Sequence, residues 1–490
     1  MARYPNEGSI PLDIGLRFSP LIPLFDFIET WNLSLVFWPA LIILLLTPFL
    51  GRIFCGWICP LGTTLDLVSR LFKAPNNKIS QKWDKLRYLK FALLFSSIIL
   101  ALFSIHFWGY LDPLSIFNRV LTVLIYPIAT LGTESVLLGL SNFALLEDAS
   151  YAVYDSYKLF VMPEAQAFYQ QVLWIALFFG IIIALERLSR RFWCRYVCPA
   201  GALLGFLSQF RLFERIVGES CPACELCHNE CKMNAIPAGD VTKTSKVECI
   251  ECFSCAQVCP PKTKSITYAW RFKPYHSKID YNRRQFIKTS AVSVGALGLL
   301  SIGLTNRNKH DKLLRPPGSV PEDMFQDRCI RCMECVRVCE SNGGCLQPDS
   351  IHSSILELWL PVAVMREGYC EYNCNMCGDA CPTDAILPLT LEAKQKTPMG
   401  LAYFDKNTCI PFAHNEDCIV CEEHCPLPDK AIKFEHKDVL LEDGTTKTVK
   451  YPYVVRDLCI GCGICETRCP INGAAGIFVT TEKQERLTTV

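Results

Sequence analysis

Cys221-Pro-Ala-Cys224-Glu-Leu-Cys227-His228-Asn-Glu-Cys231 is followed, 28 residues on, by Cys249-Ile-Glu-Cys252-Phe-Ser-Cys255-Ala-Gln-Val-Cys259-Pro260. Cysteines spaced in this way wrap an iron–sulfur cluster rather than staple distant loops. In such paired runs the fourth cysteine of each ligates the other cluster. One [4Fe-4S] cluster is therefore expected on Cys221, Cys224, Cys227 and Cys259. A second is expected on Cys249, Cys252, Cys255 and Cys231. Cys224-Glu-Leu-Cys227-His228 also matches the CxxCH pattern of c-type haem attachment. Haem there would strand Cys221 and Cys231, so the cluster reading is preferred.

Four more runs lie downstream. They are Cys329/Cys332/Cys335/Cys339, Cys370/Cys374/Cys377/Cys381, Cys409/Cys418/Cys421/Cys425 and Cys459/Cys462/Cys465/Cys469. The second has one enlarged spacer and the third a long first spacer. The crossed rule assigns Cys329, Cys332, Cys335 with Cys381, and Cys370, Cys374, Cys377 with Cys339. It also assigns Cys409, Cys418, Cys421 with Cys469, and Cys459, Cys462, Cys465 with Cys425. Six clusters follow, or about 24 irons per chain. Cys345 is left over and reads as a thiol rather than a ligand.

Upstream the chain changes character. Of 490 residues half are hydrophobic, and the net charge of +1 gives no argument for nucleic acid. The apolar residues fall in long runs. Leu33–Leu50 has 18 residues without a charge, and Phe91–Trp108 and Val172–Leu185 are further spanning candidates. Val120–Leu140 contains Pro127 and Glu134 and reads as re-entrant or interfacial. The N-terminus has no ordinary signal-peptide pattern.

Between the first two spans, Gly51 to Lys90 carries eight Lys/Arg against two acids, so this loop is expected in the cytoplasm. Tyr110 to Gln171 carries two basic residues against six acids and is expected outside. Arg187, Arg190, Arg191 and Arg195 then return the chain to the cytoplasm.

The apolar third contains an internal repeat. Arg52-Ile-Phe-Cys55-Gly-Trp-Ile-Cys59-Pro60-Leu-Gly62 matches Arg191-Phe-Trp-Cys194-Arg-Tyr-Val-Cys198-Pro199-Ala-Gly201. A CxxxC pair on a helix puts two sulfurs on one face. Two copies can supply four thiolates to one tetrahedral or cluster site; whether it holds metal or works as thiols stays open. His106, Asp112 and Arg119, near the outer end of a span, are candidates for handling quinol protons. The alternative for them is helix-end anchoring beside an aromatic belt.

Between the cysteine blocks lies Asn282-Arg283-Arg284-Gln-Phe-Ile-Lys288, followed by the weakly apolar Ala291–Leu304. This has the form of a twin-arginine export address. Such an address suits a domain whose clusters are inserted before it crosses. No A-x-A cleavage site follows, so the run is expected to stay as an anchor. Arg315-Pro316-Pro317-Gly318 reads as a linker by composition.

These motifs resemble two known families. Residues 33–260 look like the NapH family of membrane ferredoxins, with two CxxxCP motifs and a cytoplasmic two-cluster domain. CxxxCP pairs also occur in NosR and CcoG-like families. Residues 282–480 look like the NapG/MauM family of twin-arginine-exported four-cluster ferredoxins, above all in Arg315-Pro-Pro-Gly-Ser-Val-Pro-Glu-Asp-Met-Phe running into Cys329-Ile-Arg-Cys332. Glu340 departs from that pattern by replacing the usual proline. The resemblance implies a fusion of the two, with Cys55, Cys59, Cys194 and Cys198 as a membrane redox motif.

The expected fold is an α-helical membrane domain plus bacterial-ferredoxin-like α+β domains, one two-cluster and one four-cluster. The expected boundaries are 1–220 for the membrane domain, 221–281 for a cytoplasmic ferredoxin domain, 282–320 for anchor and linker, and 321–490 for an extracytoplasmic domain. The setting is a bacterial cytoplasmic membrane crossed about four times. The resemblance implies oxidation of a menaquinone- or ubiquinone-type quinol and delivery to a periplasmic c-type cytochrome or reductase, as the electron-transfer subunit of a quinol-dependent oxidoreductase. Two alternatives stand beside it. One is a conduit from a cytoplasmic redox donor to the periplasm, and the other is a maturation factor for a periplasmic reductase.

Overall fold

The apolar runs form helices at Trp38–Leu50, Arg87–Leu102 and Val172–Leu185, of 13, 16 and 14 residues. At 1.5 Å per residue these rise roughly 20–24 Å, short of a hydrocarbon core of about 30 Å. Among the described residues one helix is long and apolar enough to cross a membrane, Pro113–Leu140, with 28 residues. The segment Val120–Leu140, read from sequence as re-entrant or interfacial, is therefore the continuous part of the longest helix. It passes Pro127 because the turn immediately before, Leu121–Ile125, is π-helical. That wider turn carries the carbonyl chain past the proline ring, which would otherwise clash one turn back.

The computed structural model describes residues 11, 13–30, 35–72, 81–102, 107–143, 147–160, 169–261, 265–271, 287–288, 291, 294–295, 313–349, 357–440 and 445–488. His106, Arg283, Arg284 and nearly all of the run after them lie outside the described residues.

The chain divides into two compact units, and they do not follow the boundaries expected from sequence. Residues 14–120 and 173–306 form one unit, so the two-cluster block is integrated with the helices that carry the repeat. Residues 121–172 join 307–490 in the other. The N-terminal 220 residues are thus not a single domain. Their middle segment belongs with the C-terminal cluster block, where Tyr169 Oη donates to Glu340 Oε2 at 2.7 Å with both side chains buried.

Each cluster block is closed by an antiparallel strand pair. Phe213–Val217 pairs with Ile266–Trp270 around the first block, Phe213 opposite Trp270. In the C-terminal block Leu401–Phe404 pairs with Ile477–Thr480, and Ile432–Leu440 forms a hairpin with Thr446–Val454. Leu346–Pro348 pairs with Pro361–Ala363. Each cysteine run contains a short helix that carries its third cysteine, and these helices alternate with the strand pairs in an α+β arrangement.

The segment read as a linker is core. Arg315 is fully buried, donates to Pro361 O at 2.6 Å and to Glu322 Oε1 at 2.6 Å, and stacks over the Phe325 ring. Gly318 is left-handed (φ +87°), and a Cβ there would lie 2.7 Å from Leu387 O. Pro and Gly here fix a tight, packed turn rather than a flexible tether.

Candidate iron–sulfur sites

Four of the six runs share one backbone signature. The residues on either side of the second cysteine are left-handed: Ala223 and Glu225 around Cys224, Glu251 and Phe253 around Cys252, Arg331 and Met333 around Cys332. Gly461 and Gly463 do the same around Cys462. Left-handed residues interleaved in this way fold the chain into a concave nest of N–H groups suited to an anion. Non-glycine residues held there cost of order 1–3 kcal/mol each and persist where the surroundings over-determine them. A negatively charged iron–sulfur cluster held by the flanking cysteines would supply such a surrounding. The fold therefore fits the cofactor that the spacing implies.

The two stretched runs solve the problem differently. Cys409 caps the short helix Ile410–His414, and Asn415 turns left-handed at its end (φ 54°). The long spacer is thus folded into one helical turn and a reversal, which brings Cys409 back to Cys418 and Cys469. In the Cys370 run the amide of Cys370 donates to Cys462 O at 2.8 Å.

The crossed pairings are reflected in which sulfurs stand near one another. Burial raises the thiols of Cys332 and Cys335, and Cys329 and Cys381 raise them further. Burial likewise raises Cys370 and Cys377, each with Cys339 beside it. Cys421 lies by Cys469, Cys418 and Cys409, and Cys462 by Cys459 and Cys425. Neighbouring sites also meet: Cys335 with Cys377, Cys370 with Cys462, and Cys465 with Cys421. The four C-terminal sites thus form a file in the order 329, 370, 459, 409 by first cysteine.

In the other unit Cys249 and Cys255 lie near Cys231, and Cys227 near Cys221 and Cys224. Cys259 follows the helix Ser254–Gln257 and is half-buried. His228 is buried with Nδ1 2.6 Å from Ile236 O, a packing role rather than a haem ligand's. Cys345, the unassigned thiol, is buried with its sulfur 3.8 Å from Cys339.

Hydrogen bonds to cluster sulfurs and nearby charges tune potential, and sequence reading missed the residues that supply them. Arg215 donates to Cys227 Sγ at 3.4 Å, Tyr268 Oη lies 3.1 Å from Cys255 Sγ, and Asn342 donates to Cys374 Sγ at 3.5 Å. Lys394 is buried and donates to Tyr372 O at 3.1 Å. Burial lowers its pKa, but the nearby Cys370, Cys377 and Cys374 outweigh that and raise it. A unit charge within about 8 Å of a cluster is worth about 2 kcal/mol at an effective dielectric of about 20. For one electron that is on the order of 90 mV. Lys394→Met is expected to lower the midpoint of the 370 site by an amount of this order, read by potentiometric EPR; an unmoved midpoint would remove Lys394 from the tuning set.

The fold also gathers the repeated motif. Cys59, Cys194 and Cys198 are raised first by burial, and each has Cys55 as a neighbour. The pairs do not lie on a single helix face, as expected from the CxxxC spacing. Cys55 and Cys194 sit in π-helical turns, Phe54–Ile58 and Trp193–Val197. Cys59 and Cys198 are extended, at φ/ψ −64°/113° and −62°/112°, because the prolines that start the next helices disfavour α geometry before them. Among the described residues no group of three Cys, His, Asp or Glu is placed to hold a single metal ion. Four thiolates are the ligand number that a [4Fe-4S] cluster takes.

This motif packs directly on the Cys249 run. Arg52 Nη1 donates to Val247 O at 2.8 Å and Trp57 Nε1 to Glu251 O at 3.0 Å. A Cβ on Gly56 would lie 2.4 Å from Ile250 O.

Of the residues proposed for quinol protons, Asp112 and Arg119 lie among the described residues. Asp112 is fully buried and caps the Pro113 helix, accepting from the Ser115 amide at 2.8 Å, from Ser115 Oγ at 2.9 Å and from Ser19 Oγ at 2.6 Å. Arg119, buried, donates to Gly109 O at 3.3 Å. Both sets of contacts lie at the end of the helix that starts at Pro113.

Known proteins agree with the cysteine chemistry. A family model described as a 4Fe-4S binding domain matches twice, at residues 31–78 and 171–218, over the two copies of the repeat. A second model of the same description matches residues 452–473. No solved structure matches the chain. The methylamine utilization ferredoxin-type protein MauM of Methylorubrum extorquens is 32% identical over 201 residues, which is 40% of this chain and 87% of that protein. The ferredoxin-type protein NapG of Escherichia coli is 31% identical over 209 residues, 41% of this chain and 86% of that protein. MauM of Paracoccus denitrificans is 32% identical over 191 residues, 38% and 80%. With most of each relative covered and with cysteine runs that the fold draws together as iron–sulfur sites, this chain belongs to the NapG/MauM family of ferredoxin-type electron-transfer proteins.

Proposed function

We propose that the protein is a membrane-bound conduit that carries electrons from a cytoplasmic donor to an extracytoplasmic acceptor such as a c-type cytochrome or reductase. The observation that carries this reading is the packing of the CxxxCP motif on the Cys249 run. It makes the four-cysteine site the next station after the two-cluster block. Clusters bound at these sites supply one-electron redox chemistry. The chain's residues hold the sites, exclude water from them and set their charge surroundings.

The make-up of the two units supports the two-sided placement. One unit combines the basic loop 51–90 with the two-cluster block, both expected on the cytoplasmic side. The other combines the acidic segment 121–172 with the C-terminal block, both expected outside. Under this reading the bilayer, a cytoplasmic reductant and a periplasmic acceptor are the partners, and the twin-arginine stretch would lead the chain across the membrane to the C-terminal cysteine runs.

Quinol as donor is the second reading, favoured by the buried Glu340–Tyr169 pair next to the cluster ligand Cys339. Quinol oxidation needs a proton acceptor beside an electron acceptor, and a carboxylate one residue from a ligand offers one.

One measurement separates the readings. Full-length protein in sealed vesicles with the cytoplasmic face outward receives a reduced soluble ferredoxin or, separately, a menaquinol analogue. Reduction of the C-terminal sites by ferredoxin alone is the expected result. Reduction only by the quinol analogue would replace the conduit with a quinol dehydrogenase using the four-cluster file.

A further inference from the structure

The two copies of the repeat share more than cysteines. Arg52 and Arg191 each stand three residues before the first cysteine of their copy, and both are buried, at 0% and 1% exposure. An arginine so buried is costly unless its charge is used.

Each guanidinium lies against the other copy. A Cβ on Gly62 would lie 3.3 Å from Arg191 Nη1 and 3.2 Å from Cys55 O. A Cβ on Gly201 would lie 2.9 Å from Arg52 Nη2 and 3.4 Å from Cys194 O. The glycine of each Cys-Pro-x-Gly leaves the space in which the opposite arginine sits. Arg191 Nη1 donates to Cys55 O at 2.8 Å, and Arg52 Nη2 lies 3.8 Å from Cys55 Sγ. Among the described residues Arg52 Nε has no hydrogen-bond partner.

The counter-charges repeat too. Arg191 pairs bidentately with Asp66 at 2.7 and 2.8 Å, and Asp66 also holds Lys232 at 2.7 Å. Arg52 stands 3.8 Å from Glu248, which also holds Lys90 at 2.7 Å. In both halves one carboxylate is shared by two cations. The guanidinium of Arg191 is the cation that acts most strongly on Cys194, with Arg52 acting in the same sense, while Glu186, which accepts from the Arg191 and Phe192 amides at 2.8 and 2.9 Å, opposes them.

We propose that Arg52 and Arg191 are a symmetric pair of positioning residues that compensate the charge of a single iron–sulfur cluster shared by the two copies, through Cys55, Cys59, Cys194 and Cys198, and hold its potential high. This rests on the reading that the four cysteines bind a cluster. Reduction adds one electron to the cluster, with no bond made or broken, and the donor is the neighbouring site on Cys249. The reduced form carries one more negative charge than the oxidised form. Two fixed cations in a water-poor site favour it. Fixed cations lower the barrier to electron entry without motion of their own.

The test uses full-length protein purified anaerobically in detergent, with iron analysis and potentiometric EPR. Cys59→Ser checks the underlying reading: loss of iron and of one EPR component is expected, and unchanged iron would sink the cluster reading itself. Arg52→Gln and Arg191→Gln check the arginines. Each is expected to keep that component and shift its midpoint downward, leaving the other midpoints in place. Retention of the component at the wild-type midpoint in both variants would overturn the proposal. Should either glutamine variant lose the component, Arg52→Lys and Arg191→Lys decide. Recovery of the component near the wild-type midpoint supports a charge role, whereas its absence in both lysine variants makes the arginines structural and overturns the proposal.

Discussion

Gly56→Ala is expected to slow electron transfer between the four-cysteine site and the Cys249 site while leaving iron content intact. The methyl group would be built 2.4 Å from Ile250 O. That oxygen belongs to the backbone between Cys249 and Cys252, which is already fixed by the left-handed residues Glu251 and Phe253. It has little freedom to retreat, so the π-helical turn Phe54–Ile58 must move instead. The Trp57 bond to Glu251 O and the Arg52 bond to Val247 O are then stretched together. Overpacking of this kind costs typically 1–3 kcal/mol, and a matching loss of thermal stability is expected. The second copy offers an internal control. Gly205, on the helix after Cys198, would place a Cβ 3.1 Å from Val247 O, a milder contact. Gly205→Ala should therefore show the same effects more weakly. Rapid-freeze EPR after a pulse of reductant reads the transfer. Unchanged transfer and stability in Gly56→Ala would show that the motif does not bear on the cluster run as described.

The cysteine chemistry was legible because ligand spacing is a local property. A run of CxxCxxCxxxC states its cofactor without reference to the fold, and the crossed rule then names partners from separate runs. The same held for the repeat, whose two copies are similar enough to be seen directly. Four things were not legible. Left-handed geometry at Glu225, Glu251, Phe253, Arg331 and Met333 runs against the preferences of those residues; only Gly461 and Gly463 announce it. Local propensity does not account for it, whereas a cluster held by the flanking cysteines would. Arg315-Pro-Pro-Gly looked like a tether because proline and glycine mark both flexible linkers and tight packed turns, and only burial separates the two. The division into units, with residues 121–172 assigned to the C-terminal block, depends on tertiary contacts such as Tyr169 with Glu340. The potential-setting side chains were missed for the same reason. Arg215, Tyr268 and Lys394 each reach a cysteine at least twelve residues away in sequence. Arg52 and Arg191 were the exception, since the repeat displays them, but spacing alone gives them no task.

Glu248→Gln should be among the most damaging single substitutions in the helical unit. Its carboxylate accepts two bonds from Lys90 Nζ, at 2.8 and 2.7 Å, and stands 3.8 Å from Arg52. Lys90 and Arg52 are both fully buried, from segments far apart in the chain. The amide keeps the shape of the side chain and removes only the charge. Lys90 then remains buried without the carboxylate it is bonded to, and breaking such a pair typically costs about 3–5 kcal/mol. That is a large share of the usual 5–15 kcal/mol of a folded domain. The loss should be local in kind. The C-terminal unit does not use this pair, so its cluster signals should persist after the helical unit has melted. Thermal unfolding in detergent, followed at once by circular dichroism and by cluster absorbance, separates the two transitions. Lys90→Met combined with Glu248→Gln tests the cause. Removing the second charge should recover a good part of the stability, because the cost lies in the orphaned cation rather than in the lost bond. If the double variant is no more stable than Glu248→Gln, the carboxylate acts on Arg52 and the cluster run instead, and the Lys90 bridge is only a neighbour of the contact that matters.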